Sequence, residues 1–322
     1  MASSDNFLFI IPTLIKWWKQ IGLSALFAMV IMGVVMILQP NYYKSETEFY
    51  PVSASLLKPI VDASDQSLFY FGDDHDTDRL LSIGKSRDLV DDIIEKFNLD
   101  QHYEIKIEDN KSRVKLYKRF QKLYTITKTQ HDAIRVEVED KDPAIAAQLA
   151  EGVRTYINRK AQEIIKGTQA EMLRFSEDNM LEKKDNLDRI TTEIKGLQQE
   201  YNIYDTESQA EALALIESSN PEDPNVKRMI DDFTAGVSTV RKLQSEQEQL
   251  TKLLVEEEDT YQKLLTTYQQ DKSAIHIVEE ANIPHVKSRP SRTLYVLSAG
   301  ILMSFFTLFS LLIFENFGGI ET

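Results

Sequence analysis

IGLSALFAMVIMGVVMIL (Ile21–Leu38) and LYVLSAGILMSFFTLFSLLIF (Leu294–Phe314) decide how this chain must be read. Neither stretch holds a charged residue. A helix needs roughly 20 apolar residues to cross a hydrocarbon core of about 30 Å. Within lipid a lone segment satisfies its own backbone groups only as a helix, so both stretches are predicted to be membrane-spanning helices. Everything between them is an insert with both ends tied to the membrane, and that insert is where the work is expected.

Working outward, Phe7–Trp18 (FLFIIPTLIKWW) is apolar, with two tryptophans beside Lys16 and Lys19. It reads as an interfacial helix lying on the membrane, with Pro12 near its start. Gln39-Pro40-Asn41-Tyr42 offers no small-x-small cleavage pattern, so the first span is read as a retained anchor. Lys16 and Lys19 ahead of it favour an inside N-terminus, which puts the insert outside and residues 315–322 inside. Lys287, Arg289 and Arg292 lie on the outer flank of the second span and run against that bias. The first helix takes precedence in setting orientation. Ser24 with Ala28, and Gly300 with Ser304, have the small-xxx-small spacing that permits close helix approach.

Composition narrows the function. The net charge of −14 argues against nucleic acid, whose partners carry a basic face. With zero cysteines there is no disulfide, thiol catalysis or Cys-type zinc site. No serine, histidine and aspartate arrangement stands out among five histidines, so no enzyme, cofactor or metal is expected. Gly84-Lys85-Ser86 looks like the end of a phosphate loop, but the glycine required five residues earlier is Arg79. Asp73-Asp74-His75-Asp76-Thr77-Asp78 clusters oxygens as a hard cation would need. It lacks the EF-hand glycine and distal glutamate, and reads as a solvated loop ending in an Asp76 or Thr77 cap. Eleven glycines and nine prolines in a 27% charged chain point to long helices with few turns.

Along the insert, Lys44–Val52 reads as a strand. Asp76–Leu99 reads as one or two helices and Val114–Leu123 as another. In Ala133–Glu139, Ile134, Val136 and Val138 alternate with Arg135, Glu137 and Glu139, the pattern of a half-buried strand. Asp142 can cap a helix and Pro143 suits its first position. The apolar spacing then holds to Tyr201, on the order of 90 Å of helix at 1.5 Å per residue, with Gly167 and Gly196 as points of bending. The segment Asn202–Asn225 breaks it, with a short helix at Glu207–Ile216. Heptad-like gaps from Val226 to Tyr268 give a second long helix, which folds back on the first as an antiparallel hairpin. Glu256-Glu257-Glu258-Asp259 reads as a solvated face, or as a partner for Lys183-Lys184 of a neighbouring subunit. A third strand, residues 274–281, returns to pair near the membrane.

The expected segments are therefore 1–20 cytoplasmic or interfacial, 21–39 first span, 40–143 α/β base, 144–272 hairpin with its tip near 202–225, 273–292 return strand and proline-containing approach, 293–314 second span, and 315–322 a short cytoplasmic tail. The fold class is an α/β membrane protein: two transmembrane helices bracketing an extracytoplasmic α/β base with a long antiparallel helical hairpin.

Four features occur in order: the strand after the first span, Ser86-Arg87-Asp88-Leu89-Val90 opening a helix, Asp142-Pro143-Ala144-Ile145-Ala146-Ala147-Gln148-Leu149-Ala150 after the alternating strand, and Ala281-Asn282-Ile283-Pro284-His285-Val286-Lys287-Ser288-Arg289-Pro290-Ser291-Arg292 leading into the second span. In these the chain resembles the Wzz-type polysaccharide chain-length determinants, or polysaccharide co-polymerases. The family often has more prolines beside the second span, whereas here Pro284 and Pro290 are a pair. The resemblance implies a ring-forming homo-oligomer of the bacterial inner membrane, most of it periplasmic, with no catalytic residue. It implies control of the length of a surface polysaccharide (O-antigen, capsule or exopolysaccharide), with a Wzy-type polymerase and a lipid-linked glycan as partners. Relatives with a fused kinase carry it after the second span, and eight residues cannot hold one. Asp142, Pro143, Ala281, Pro284, Pro290, Arg292, Gly300 and Ser304 are the residues expected to matter. The other readings are an export component bridging the envelope, for which the flanking β domains are missing, and a two-span sensor, which eight residues cannot supply with an output module.

Overall fold

The computed structural model describes residues 10–53 and 71–318. They fall into two compact units. One runs through Pro51, takes in Thr77–Asn158 and resumes at Ile275; the other holds Val52–Asp76 and Arg159–Ala274.

The first unit begins with α1 (Ile10–Leu38) and ends with α9 (Arg292–Gly318). Both are apolar on every side, and their side chains are left largely exposed, as lipid-facing helices require. A separate interfacial helix is not formed: α1 runs unbroken through Pro12, while Phe7–Phe9 of that stretch lie outside the described residues. Pro12 is the third residue of α1, where no intrahelical N–H bond is lost.

The two helices pack together. Ser24 Oγ and Thr307 Oγ1 are 2.9 Å apart, and a Cβ added at Gly300 would lie 2.8 Å from Met29 Cγ. Glycine is what lets the helices approach there. Ser304 instead bonds back to the Gly300 carbonyl of its own helix. The tail expected from residue 315 is also corrected. α9 continues to Gly318, and Glu315 accepts from Thr13 Oγ1 (2.6 Å), Lys16 Nζ (2.8 Å) and Trp17 Nε1 (2.9 Å) of α1.

Between the spans lies an antiparallel sheet ordered β2-β3-β1-β4, with β5 also on β1. The strands are β1 (Tyr42–Pro51), β2 (Tyr124–Lys128), β3 (Ile134–Asp140), β4 (Ile275–Glu279) and β5 (Lys287–Arg289). Ile134, Val136 and Val138 of β3 are buried, as their alternation requires. β2 was not anticipated: the helix before it, α5 (Asn110–Gln121), stops earlier than the expected Leu123, and Tyr124 and Ile126 then alternate inward. The core is completed by Leu89, Val90 and Ile93 of α3 (Arg87–Lys96), by Leu99 of α4 (Leu99–His102), and by Leu116 and Phe120 of α5. Ser86 caps α3 by accepting from the Leu89 N–H. Gly84 ends α2 (Asp74–Gly84), its carbonyl accepting from the Tyr124 hydroxyl, so Gly84-Lys85-Ser86 is a helix–helix junction.

In the second unit, Asp76 Oδ2 and Asp73 Oδ1 accept from each other's backbone N–H, a reciprocal cap. α6 (Pro143–Glu200) enters this unit from the first and passes Gly167 and Gly196 without a break. α8 (Pro224–Gln269) runs back along it. The direction follows from the bonds: Gln162 reaches the Lys272 carbonyl, Ser176 and Lys183 reach Glu257, and Thr191 accepts from Gln247. Rising numbers on one helix meet falling numbers on the other.

Ile190, Ile194 and Leu243 form one apolar layer, and Ile203, Leu213, Phe233 and Val240 form the next. α7 (Ser208–Ser219) supplies Leu213 and runs past the expected Ile216. Gly236 faces the Tyr201 ring, where a Cβ would lie 2.7 Å from it. Lys183 pairs with Glu257 at 3.0 Å within one chain, which corrects the reading that Lys183 waits for a neighbour's acid.

Two outcomes follow. Because the chain has no native cysteine, Ser24→Cys/Thr307→Cys should form an intramolecular disulfide on oxidation, seen as a mobility shift reversed by reductant. Hydrogen bonds from Lys183 and Ser176 hold the Glu257 carboxyl below its usual 4.5. A depressed carboxyl adds stability above its unfolded value and loses it as pH falls through the folded one. The gap in thermal midpoint between wild type and Glu257→Gln should therefore be widest above pH 4.5 and narrow below it.

Candidate functional site

Apart from Gly300 and Ser304, the expected functional residues fall where the sheet meets the spans. β1 starts shortly after α1 ends, and β5 stops just before α9 begins. β5 pairs its Arg289 with Tyr42 and its Lys287 with Tyr43. A three-residue strand holds few backbone bonds, and side chains reinforce it. Ser288 Oγ lies 3.1 Å from the Tyr42 carbonyl and 2.9 Å from Glu139 Oε1. The Arg289 guanidinium sits 4.4 Å from the Tyr42 ring centroid and pairs with Glu139 at 2.5 Å. Guanidinium over an aromatic face is favourable because the ring's quadrupole presents its negative face.

Tyr42 is engaged from a second direction. Arg119 Nη2 donates to its hydroxyl at 2.7 Å, and the same guanidinium lies 5.7 Å from the Tyr103 ring. Tyr103 in turn donates to Asp140 Oδ2 at 2.9 Å. Asp140 is fully buried at the end of β3. Its Oδ1 also takes His102 Nε2 and the Asp142 N–H, each at 2.9 Å. A buried carboxylate costs several kcal/mol unless it is satisfied, and three donors satisfy it. Burial, and then the Asp140 charge, push the Tyr103 hydroxyl well above its ordinary range, so it stays protonated and donating.

The Asp140 carboxylate thereby fixes the turn that opens α6. Asp142 Oδ1 accepts from the Ala144 N–H at 2.8 Å, and Pro143 is the first helical residue. Asp142 and Pro143 are thus a helix start held from behind by Asp140, which sequence reasoning passed over. Its signal, an acid closing an apolar alternation, was present in Ile134-Arg135-Val136-Glu137-Val138-Glu139-Asp140.

The structure places the remaining residues as follows. Ala281 is half-buried, and its neighbour Asn282 gives its carbonyl to Ser45 Oγ at 2.8 Å. Thr47 Oγ1 holds the Glu279 carbonyl at 2.6 Å. Pro284 is half-buried, while Pro290 is buried after a cis Arg289–Pro290 bond. Between them the chain bends at His285-Val286 and then forms β5. Arg292 opens α9 and donates from Nη2 to Asn41 Oδ1 at 3.1 Å. Gly300 and Ser304 lie farther along α9, apart from this cluster. Among the described residues no group of three or more His, Cys, Asp or Glu is placed to hold a metal.

The sequence matches no protein-family model and no curated protein. Among solved structures, the chain is similar to a full-length bacterial polysaccharide co-polymerase, at 11% identity over 99% of this chain and 100% of that one, with a TM-score of 0.47. It is also similar to the Shigella flexneri lipopolysaccharide O-antigen chain-length regulator, at 10% identity over 76% and 100%, TM-score 0.39. A WzzB polysaccharide co-polymerase fragment from Salmonella Typhimurium gives 12% over 77% and 100%, TM-score 0.23. At identities and scores this low, none of them assigns a role to a residue here.

Asp140→Asn leaves one acceptor oxygen for three donors and turns an NH2 towards another. It should lower stability by about 1–3 kcal/mol. Thermal unfolding of the purified full chain should show a lower midpoint, while exposed Lys141→Gln next to it should leave the midpoint unchanged.

Proposed function

We propose that this chain is a Wzz-type polysaccharide co-polymerase, a non-enzymatic regulator of surface polysaccharide chain length. The observation that carries the reading is the shared sheet. The strand leaving one apolar helix is hydrogen-bonded to the strand entering the other, and both helices pack together. A chain so built holds its insert by two ends at one membrane face. The order of its motif residues adds support, with Asp142-Pro143 opening the long helix and Pro284 to Arg292 leading into α9.

In this reading the protein is multi-pass in the bacterial inner membrane, with the insert in the periplasm. Copies assemble as a ring and work with a Wzy-type polymerase on a lipid-linked glycan. The mechanism is geometric: an assembly of stiff inserts presents a scaffold against which polymer is measured or the polymerase is held. Stiffness fits what the chain invests in, namely a capped 58-residue helix, a helix paired along it, and strands locked by side-chain bonds.

Deleting the gene and resolving the surface polysaccharides on a gel tests this. The expected result is polymer that persists without its modal length. Total loss of surface polymer would point to export instead, and an unchanged ladder would remove the proposal. Complementation with Pro284→Ala/Pro290→Ala should restore expression and shift the mode, since both prolines lie on the path from β4 to α9.

A further inference from the structure

Three cations flank the outer end of α9, against the usual distribution of charge. One of them, Arg289, is neutralised by Glu139. Among the described residues, the other two have no acidic partner. Lys287 is exposed. Arg292 reaches neutral oxygens alone: Asn41 Oδ1 at 3.1 Å and the Gln39 carbonyl at 3.5 Å, the latter at the limit of a hydrogen bond. Its Nε is enclosed and has no acceptor.

These bonds also fix the depth of Arg292. Gln39 directly follows the last residue of α1, and Arg292 is the first residue of α9, so the guanidinium stands where both spans leave the apolar layer. Three conditions make that position poor for an unpaired charge. The guanidinium is charged at every relevant pH. The start of α9 contributes further positive potential. The apolar layer begins one turn away, at exposed Tyr295, a side chain typical of the membrane interface.

The membrane contains the anion that the described residues do not supply. At this depth lie the phosphates of lipid headgroups, whose two non-bridging oxygens match the planar guanidinium fork. We propose that Arg292, assisted by Lys287, binds the phosphate of an anionic phospholipid in the leaflet on the sheet side. Binding would compensate the charge held between the two spans and set the height of the pair in the bilayer. The inference is independent of the chain-length reading: a protein without effect on polymer length would still retain the lipid.

The test uses the full chain reconstituted in nanodiscs of equal phosphatidylglycerol and phosphatidylcholine, then released for native mass spectrometry. The wild type should retain phosphatidylglycerol in preference. Arg292→Gln should lower that retention about fivefold, from the worth of one cation at an anionic surface. Lys287→Gln should lower it by less. Equal retention of the two lipids by the wild type, or unchanged retention in Arg292→Gln, overturns the proposal. The Ser24→Cys/Thr307→Cys disulfide, placed in the Arg292→Gln background, reports whether the spans still pair. If they do not, Lys287→Gln decides alone, since its exposed side chain makes no contact that folding needs: a fall supports the site and no change overturns it.

Discussion

Everything in the first unit depends on β1 as a shared partner. It starts at Tyr42, just beyond the end of α1 at Leu38, and takes β3 on one edge and β4 and β5 on the other. The chain that leaves one span is thus zipped to the chain that enters the next. Backbone bonds make this connection, and in the three-residue β5 the side chains of Ser288 and Arg289 reinforce them. Buried hydroxyls add the rest: Ser45 and Thr47 face inward on β1 and hold the carbonyls of Asn282 and Glu279. A valine in place of Thr47 would fill the same space and leave the Glu279 carbonyl without its donor.

Around this strand, charge is placed with its compensation. Tyr42 receives two guanidinium groups, Arg119 on its hydroxyl and Arg289 on its ring, and Glu139 neutralises the second. Farther in, Asp140 carries a charge that burial would forbid without Tyr103, His102 and the Asp142 N–H. The same carboxylate that closes β3 therefore positions the cap of α6. Strand end and helix start are one hydrogen-bonded turn, Asp140 to Ala144, and that turn gives the long helix a defined first residue. In the second unit the equivalent economy is Glu257, which takes both Ser176 and Lys183 and binds α8 to α6.

Periodic signals were legible and exceptions to them were not. The alternation of Ile134, Val136 and Val138 announced a strand, and the apolar gaps after Ala144 and Val226 announced paired helices, because burial imposes those periods directly. Pro12 misled by its general habit as a breaker, when the first turn of a helix has no bond for it to remove. Tyr124–Lys128 was masked by the helix running up to it, and its five residues give too short an alternation to stand alone. Of the candidate site, Asp142 and Pro143 could be found because capping is local. The parts that hold them could not: Asp140, Tyr103, His102 and Arg119 meet from separate elements. Glu257 was read with its neighbours as a solvated face, or as a partner for Lys183 across a subunit boundary, because sequence offers no measure of which side of α6 meets α8.

The sequence by itself determined the two apolar spans, the alternating strand and the two long helices, since each follows from repeating burial along one segment. It also determined the cap at Asp142, an interaction within one turn. The tertiary structure alone decided that α1 and α9 meet through Gly300 and Ser24, that Glu315 joins α1, that β5 exists, and that Asp140 is buried among three donors. Each of these needs groups that are far apart in the chain to arrive within bonding distance, and no periodicity along a single segment records which partner the rest of the fold will bring.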